Sequence, residues 1–301
     1  MQNNTNTAHL TTEKRNDKSV NLDKMTALEF CQVMNDEDAN AVAAVKAAIP
    51  QVAKIIDLAA EKLKNGGRLV YMGAGTSGRL GLMDAVECVP TFGVPHGLIV
   101  GLIAGGENAF VKAVEGAEDS REFGEEDLKR IGFNNKDLLI GIAASGRTPY
   151  VIGGMKYARS CGAAVAALSC NSGAEISSYA DIAIEADAGP EVLTGSTRLK
   201  AGTVQKLILN MISTGAMAQC GKVYKNLMVD VLMTNDKLRE RGRRIIMQAT
   251  GADYKTADEC LQNSGNSVKT AIVMVAKKCT KKEAEQYLAE SGGFVSSAIE
   301  K

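Results

Sequence analysis

Aromatic residues, histidines, paired cysteines and long apolar runs are all scarce or missing in this chain, and each shortage removes a class of function. Tryptophan is absent and aromatics make up only 4% of the 301 residues. With 30 glycines and 45% hydrophobic content, this composition suits a compact, alanine-rich α/β enzyme better than an all-β protein. The seven cysteines (Cys31, Cys88, Cys161, Cys170, Cys220, Cys260 and Cys279) are odd in number, scattered and without a Cys-x-x-Cys pair. They read as reduced, mostly buried thiols of a cytoplasmic protein. Only His9 and His96 are present, one in a polar tail and one before an apolar run, where a turn role is expected. No His/Cys/Asp grouping has metal-ligand spacing. No apolar run approaches the roughly 20 residues that cross a bilayer, and residues 1–19 are polar, without the apolar core of a signal peptide. Lysine plus arginine, 35, equals aspartate plus glutamate, 35, so no net field draws the molecule to nucleic acid or anionic membrane. The run Arg239, Arg241, Arg243 and Arg244, interrupted by Glu240, reads as a solvated helix face.

What is present is an alternation of strand and helix. Residues 1–20 read as a polar tail, mobile or wrapped on a partner. Residues 26–64 carry a helical apolar pattern that Asn65-Gly66-Gly67 stops, with glycine at the C′ position. Nearly continuous apolar runs follow at 68–72, 98–103, 137–143, 164–169 and 181–185, as expected for parallel strands covered on both faces. Helices are predicted between them at about 77–87, 107–118, 148–160 and 172–178. The pattern predicts an α/β fold: a doubly wound, five-stranded parallel sheet of the flavodoxin-like type, with ligands at the carboxyl ends of the strands. A long apolar helix then runs to about Cys220, and from Asp230 short amphipathic helices broken at Gly251, at 263–265 and at Gly292-Gly293 predict a small helical bundle. The expected division is 1–58 (tail and N-terminal helices), 59–222 (the α/β domain) and 223–301 (the C-terminal helices).

Two of the strand ends carry the same triplet. The strand at 68–72 leads into Gly73-Ala74-Gly75-Thr76-Ser77-Gly78-Arg79, and the strand at 137–143 leads into Ala144-Ser145-Gly146-Arg147-Thr148. A third loop, Gly195-Ser196-Thr197-Arg198, opens the long helix. Glycine lets the backbone approach an anion, the helix N-terminus points N–H groups at it, and hydroxyls add donors. Gly75, Thr76, Ser77, Gly78, Ser145, Gly146, Arg147, Thr148, Ser196 and Arg198 are therefore the candidate binding residues for one phosphorylated small molecule. Gly73-x-Gly75-x-x-Gly78 also matches the dinucleotide fingerprint, but that motif wants an acidic residue about 20 positions on, ending the second strand, where this chain has Ala104-Gly105-Gly106. A Walker A loop fails because Arg79-Leu80 replaces Lys-Ser/Thr. Tight strand–helix turns alone would not account for hydroxyls at three junctions.

With so few histidines, proton transfer falls to carboxylates. Glu87 and Glu118 each sit where a helix following a strand-end loop is expected to finish, in apolar or small-residue company that can raise a carboxyl pKa. A satisfied helix-end carboxylate remains the alternative for both. Ten helical residues separate Ser77 from Glu87, about 15 Å at 1.5 Å per residue. Either the helix bends back before Pro90, or a neighbouring subunit completes the pocket.

These residues resemble a known family. Gly73-Ala-Gly-Thr-Ser-Gly-Arg-Leu-Gly81, Glu87-Cys-Val-Pro-Thr-Phe-Gly93, Gly101-Leu-Ile-Ala-Gly-Gly106, Ala113-Val-Glu-Gly-Ala-Glu-Asp-Ser-Arg121 and Gly141-Ile-Ala-Ala-Ser-Gly-Arg-Thr-Pro-Tyr150 are similar to segments of the N-acetylmuramic acid 6-phosphate etherases. Thr194-Gly-Ser-Thr-Arg-Leu-Lys-Ala-Gly-Thr203 and Asn226-Leu-Met-Val-Asp230 extend the likeness over nearly the whole chain. One departure is Val86-Glu87-Cys88-Val89, where the family carries Ser-Glu-Cys-Pro; the glutamate is kept. The resemblance implies a sugar isomerase (SIS) domain and cleavage of a D-lactyl ether from a sugar phosphate, in peptidoglycan amino-sugar recycling. It implies no cofactor and no metal, a cytoplasmic homodimer, and a small-molecule sugar phosphate as the partner, with neither nucleic acid nor membrane. It matches Glu87 to the family's proton donor and Glu118 to its base, with the hydroxyl loops on the 6-phosphate. The rival is a non-catalytic sugar-phosphate regulator of the glucokinase regulatory protein type. Retention of both glutamates argues for the enzyme. The lactate-releasing activity is expected to survive EDTA treatment and desalting; a loss restored by added Zn²⁺ or Mg²⁺ would overturn this.

Overall fold

The computed structural model describes residues 9–112, 114–233 and 235–300, and they fall into two compact units. The first is built from Met1–Val86 with Gly97–Ile212, the second from Glu87–His96 with Ser213–Lys301.

The first unit is a parallel sheet of five strands, β1 (Leu69–Gly73), β2 (Ile99–Ile103), β3 (Leu138–Ile142), β4 (Ala164–Ser169) and β5 (Ile182–Glu185), in the order β2-β1-β3-β4-β5. Its strands are short apolar runs because both faces are covered. On one face Val70, Met72, Leu139, Val165 and Ala167 pack with Leu128 of α4 (Arg121–Arg130) and with Tyr150, Val151, Ile152 and Met155 of α5 (Pro149–Ser160). The other face meets α1 (Ala27–Lys64), whose buried stripe Ala41, Val45, Ala48, Val52, Ile55 and Ala59 recurs at helical spacing. Thr26 and Glu29 start α1 with a reciprocal capping box, and Gly66, at φ +78°, ends it. The predicted N-terminal helices are thus one 38-residue helix, which runs past residue 58 without a break. α2 (Gly75–Phe92) follows β1, and α6 (Lys200–Gln219) follows the third loop.

Two predicted helices differ. The segment expected as helix 107–118 is a single turn, α3 (Asn108–Val111), followed at Ala117–Asp119 by a 3-10 turn. Gly116, at φ +76°, is a left-handed position that a helix cannot carry through. The segment 172–178 is a 3-10 turn at Glu175–Tyr179. The cysteines also differ from expectation. Cys88 and Cys170 are buried, Cys31 is exposed, and the other four are half-buried.

The polar N-terminus departs most. From His9 to Lys24 it winds through three 3-10 turns packed on its own unit, with Leu10, Thr12, Asn16 and Ser19 buried. The tail expected for residues 1–8 lies outside the described residues. Asn16 donates to Glu37 of α1 (2.7 Å) and to the Pro190 carbonyl (3.0 Å), and Ser19 donates to the Val192 carbonyl (2.7 Å). Glu37, only 3% exposed, also takes the ammonium groups of Lys18 and of Lys200, itself 1% exposed. Polar sequence here encodes a buried network, not disorder.

Among its described residues the second unit holds the ends of α2 and α6, the helices α7 (Asp236–Thr250), α8 (Tyr254–Asn263), α9 (Val268–Lys277), α10 (Lys281–Glu290) and α11 (Val295–Glu300), and the hairpin β6 (Val223–Tyr224) and β7 (Leu227–Met228). Ile246, Leu261, Ile272, Ala284 and Ala298 lie in its core. Two arginines of its run pair within the unit: Arg243 with Asp258 and Glu240, and Arg239 with Asp236.

The Glu37 network yields a stability test. Burial pushes its carboxyl up, but the hydrogen bonds from Lys18, Lys200 and Asn16 outweigh this and bring it from 4.5 to about 2. A depressed acid stabilises the fold above its unfolded value and loses that contribution as pH falls through the folded one. Breaking a buried pair costs about 3–5 kcal/mol. Glu37→Gln is therefore expected to lower the urea midpoint at neutral pH, with the gap to the parent full above pH 4.5 and closing as pH falls through 2.

Candidate functional site

Parallel pairing sets β1 beside β3, with Gly73 opposite Ile142, so the loops leaving both strands emerge together. β2 lies on the far side of β1, so successive connections depart in opposite directions here. This is the switch point where doubly wound sheets bind ligands. A cavity of about 430 Å³ opens at this place, lined by Gly75, Thr76 and Ser77 from the first loop and Ser145, Arg147 and Thr148 from the second. Its remaining wall includes Glu118, Asp119, Thr197 and Glu13.

The first loop becomes helix almost at once, since α2 begins at Gly75. The leading N–H groups of α2 have no carbonyl one turn back, which makes its N-terminus an anion site. In the second loop Thr148 is the N-cap of α5 and Pro149 occupies the first turn. Proline has no N–H to waste there, and the Thr148 hydroxyl makes no capping bond. The two triplet glycines serve the loops from outside the cavity. A Cβ on Gly78 would stand 2.6 Å from the Gly73 carbonyl oxygen, and one on Gly146, at φ +72°, would stand 2.4 Å from the Ala174 Cβ. Neither lines the cavity; each lets its loop lie close to the next element.

The third loop behaves differently, although its sequence looks alike. The N-terminus of α6 is already occupied: the buried Glu191 carboxylate accepts from the Lys200 and Ala201 N–H groups, both at 2.9 Å. Burial pushes this carboxyl up, against those two bonds and the Lys200 charge. Gly195 and Thr197 reach the cavity, whereas Ser196 and Arg198 do not line it.

The two candidate acids fall in different places. Glu118 sits in the 3-10 turn at Ala117–Asp119, exposed, on the wall shared by the main cavity and a side cavity of about 200 Å³. Glu87 is exposed on α2, in the part assigned to the second unit, and is not among the cavity-lining residues. α2 continues past Pro90 to Phe92, so the early bend is not there. Both glutamates are exposed. Arg79 of the first triplet lines the side cavity and holds α3, donating to the carbonyls of Phe110 (2.9 Å) and Ala109 (2.8 Å). Among the described residues no group of three or more His, Cys, Asp or Glu could hold a metal ion. No helix among them is long and apolar enough to cross a membrane.

Sequence reasoning missed Glu13, Asp119 and Thr197, which line the cavity, and Asn171, which organises it. Buried Asn171 accepts from the Thr12 N–H (3.2 Å) and donates to the Thr12 hydroxyl (3.0 Å) and the Ala144 carbonyl (2.9 Å). A polar residue beyond a strand end carries no signal of such long-range bonds.

Two family models match the chain, the glucokinase regulatory protein N-terminal SIS domain over residues 51–159 and the SIS domain over 125–214. The N-acetylmuramic acid 6-phosphate etherase of Bacillus mycoides (strain KBAB4) is 56% identical over 291 residues, 97% of this chain and 99% of that one. The protein of the same name from Bacillus cereus (strain G9842) is 57% identical over the same shares. Among solved structures, phosphoheptose isomerase GmhA from Neisseria gonorrhoeae aligns with a TM-score of 0.52 at 19% identity, covering 64% of this chain and 100% of that one. That likeness is one of fold.

If the two loops form one anion site, Ser77→Ala and Ser145→Ala should each weaken inorganic phosphate binding on the order of 10–100-fold, the worth of a hydrogen bond to a charged group. Circular dichroism should stay unchanged. Calorimetric titration that finds both variants binding phosphate like the parent would remove the site.

Proposed function

The chain belongs to the N-acetylmuramic acid 6-phosphate etherase family, and we infer that it cleaves the D-lactyl ether of N-acetylmuramic acid 6-phosphate, giving N-acetylglucosamine 6-phosphate and D-lactate. The observation that carries this is 56% identity across 97% of the chain. The cavity's two hydroxyl loops support it from the side of the ligand. The match of residues 51–159 to the glucokinase regulatory protein model allows a non-catalytic sugar-phosphate sensor, but relatives spanning nearly the full length carry the etherase name, and that reading is not favoured.

In the proposed reaction the sugar ring opens, and the C2 proton becomes acidic beside the C1 aldehyde. Glu118 removes it; the electron pair forms the C2–C3 double bond as the C3–O bond breaks; Glu87 gives the departing lactate its proton. Water then adds at C3 and the C2 proton returns. Each positioned acid or base contributes roughly 10²–10⁴-fold. The phosphate is held by Thr76, Ser77, Ser145 and Thr148 and by the N-termini of α2 and α5. The place of Glu118 on the cavity wall supports its role as base. Glu87 does not line that cavity, and we propose that the enzyme is a cytoplasmic homodimer in which Glu87 from a second copy completes the site. The exposed apolar side chains Leu28, Phe30, Val42 and Ile49 along α1 support self-association.

The purified protein should release D-lactate from N-acetylmuramic acid 6-phosphate and act poorly on the unphosphorylated sugar. Glu87→Ala should release almost no lactate yet still exchange the C2 hydrogen of N-acetylglucosamine 6-phosphate in D₂O, because the base is intact. Glu118→Ala should lose both. Proton NMR of C2 beside a lactate assay decides the matter: the opposite pattern reverses the roles, and lactate release by both variants removes both residues from catalysis.

A further inference from the structure

Glu13 presents a physical conflict. A cavity walled by helix N-termini and hydroxyls is built for an anion, yet a carboxylate also lines it. Its position is imposed. Glu13 ends the 3-10 turn Thr11–Glu13, and the adjacent Thr12 is clamped through Asn171 to the Ala144 carbonyl, next to Ser145 of the second loop. Asn16 and Ser19 fasten the following residues to the backbone of Pro190 and Val192, which lead to the third loop. There the Glu13 Oε2 lies 3.5 Å from where a Cβ on Gly195 would begin, so the loop is bare at the point of approach. The Glu13 side chain is exposed, and among the described residues none donates to its carboxylate or pairs with it.

A carboxylate against the phosphate itself would be repelled. One facing the neutral part of the same ligand would instead accept hydrogen bonds from its donors, strongly because the acceptor is charged. We propose that Glu13 is a specificity-determining residue that accepts hydrogen bonds from hydroxyl or amide N–H donors of the sugar, while the loops hold its phosphate. This rests on the sugar-phosphate reading above and adds what recognises the sugar. It also gives the buried Asn16–Glu37–Lys200 network a purpose: it fixes the segment that carries Glu13 to the loop that faces it.

The test is calorimetric titration of the full-length protein with two probes, N-acetylglucosamine 6-phosphate and inorganic phosphate, together with the lactate assay. Glu13→Ala should weaken sugar phosphate binding on the order of 10–100-fold, raise KM for lactate release, and leave inorganic phosphate binding equal or tighter. Glu13→Gln, which keeps an acceptor oxygen, should lose less. Equal losses for both probes would make Glu13 a strut for the loops, and unchanged binding of both would leave it idle; either result overturns the proposal. The outcomes separate from those of the reaction. A parent protein that binds N-acetylglucosamine 6-phosphate but releases no lactate removes the etherase reading, and the two-probe comparison still judges Glu13. A parent that releases lactate, with KM unchanged in Glu13→Ala, removes this assignment alone.

Discussion

Parallel pairing of β1 with β3, in the register that sets Gly73 against Ile142, is the constraint on which the site depends. It puts two loops that are distant in sequence at one sheet edge, and it makes the helices after both strands start there. Neither loop alone surrounds an anion; side by side they form two walls of one cavity. The close packing at Gly78 and Gly146 follows from the same arrangement. A side chain at either position would collide with a neighbouring element and move its loop off the cavity.

The polar N-terminal segment is the second support, and its energetics differ from those of the sheet. Burying Glu37 with Lys200 trades hydration for a pair that is costly to half-remove. What the pair supplies is position: α1, the N-terminal turns and the start of α6 meet at one point. Glu191 reinforces it by capping α6. The third loop is thereby fixed as a wall, with Glu191 already accepting from the first N–H groups of its helix.

The strands and most helices were legible because each rests on a local pattern, continuous apolar runs for strands and, for α1, a helical apolar spacing of which Val45, Val52 and Ile55 are buried. The first two loops were legible for the same reason. What escaped depends on partners far away in sequence. Asn16, Asn171 and Glu191 look like ordinary surface polars until tertiary bonds bury them, and Ser196 and Thr197 cannot be ranked before the loop's course is known. The expected helix at 107–118 failed because Gly116 sits at φ +76°, a conformation that a helical apolar spacing does not reveal. The helical setting of Glu87 was legible; its absence from the cavity lining was not.

The charges of the cavity constrain how a phosphate could be held there. Among the described lining residues Arg147 is the one cation, against the carboxylates of Glu13, Glu118 and Asp119. A net positive field therefore does not gather the anion. On the proposed reading, holding it would fall to dipoles: N–H groups at two helix starts and hydroxyls at fixed positions, which act over one hydrogen-bond length and demand the right shape. A sheet edge of this kind does not by itself select a reaction. Selection falls to the side chains set around the cavity, and in this chain three of them are carboxylates, Glu13, Glu118 and Asp119.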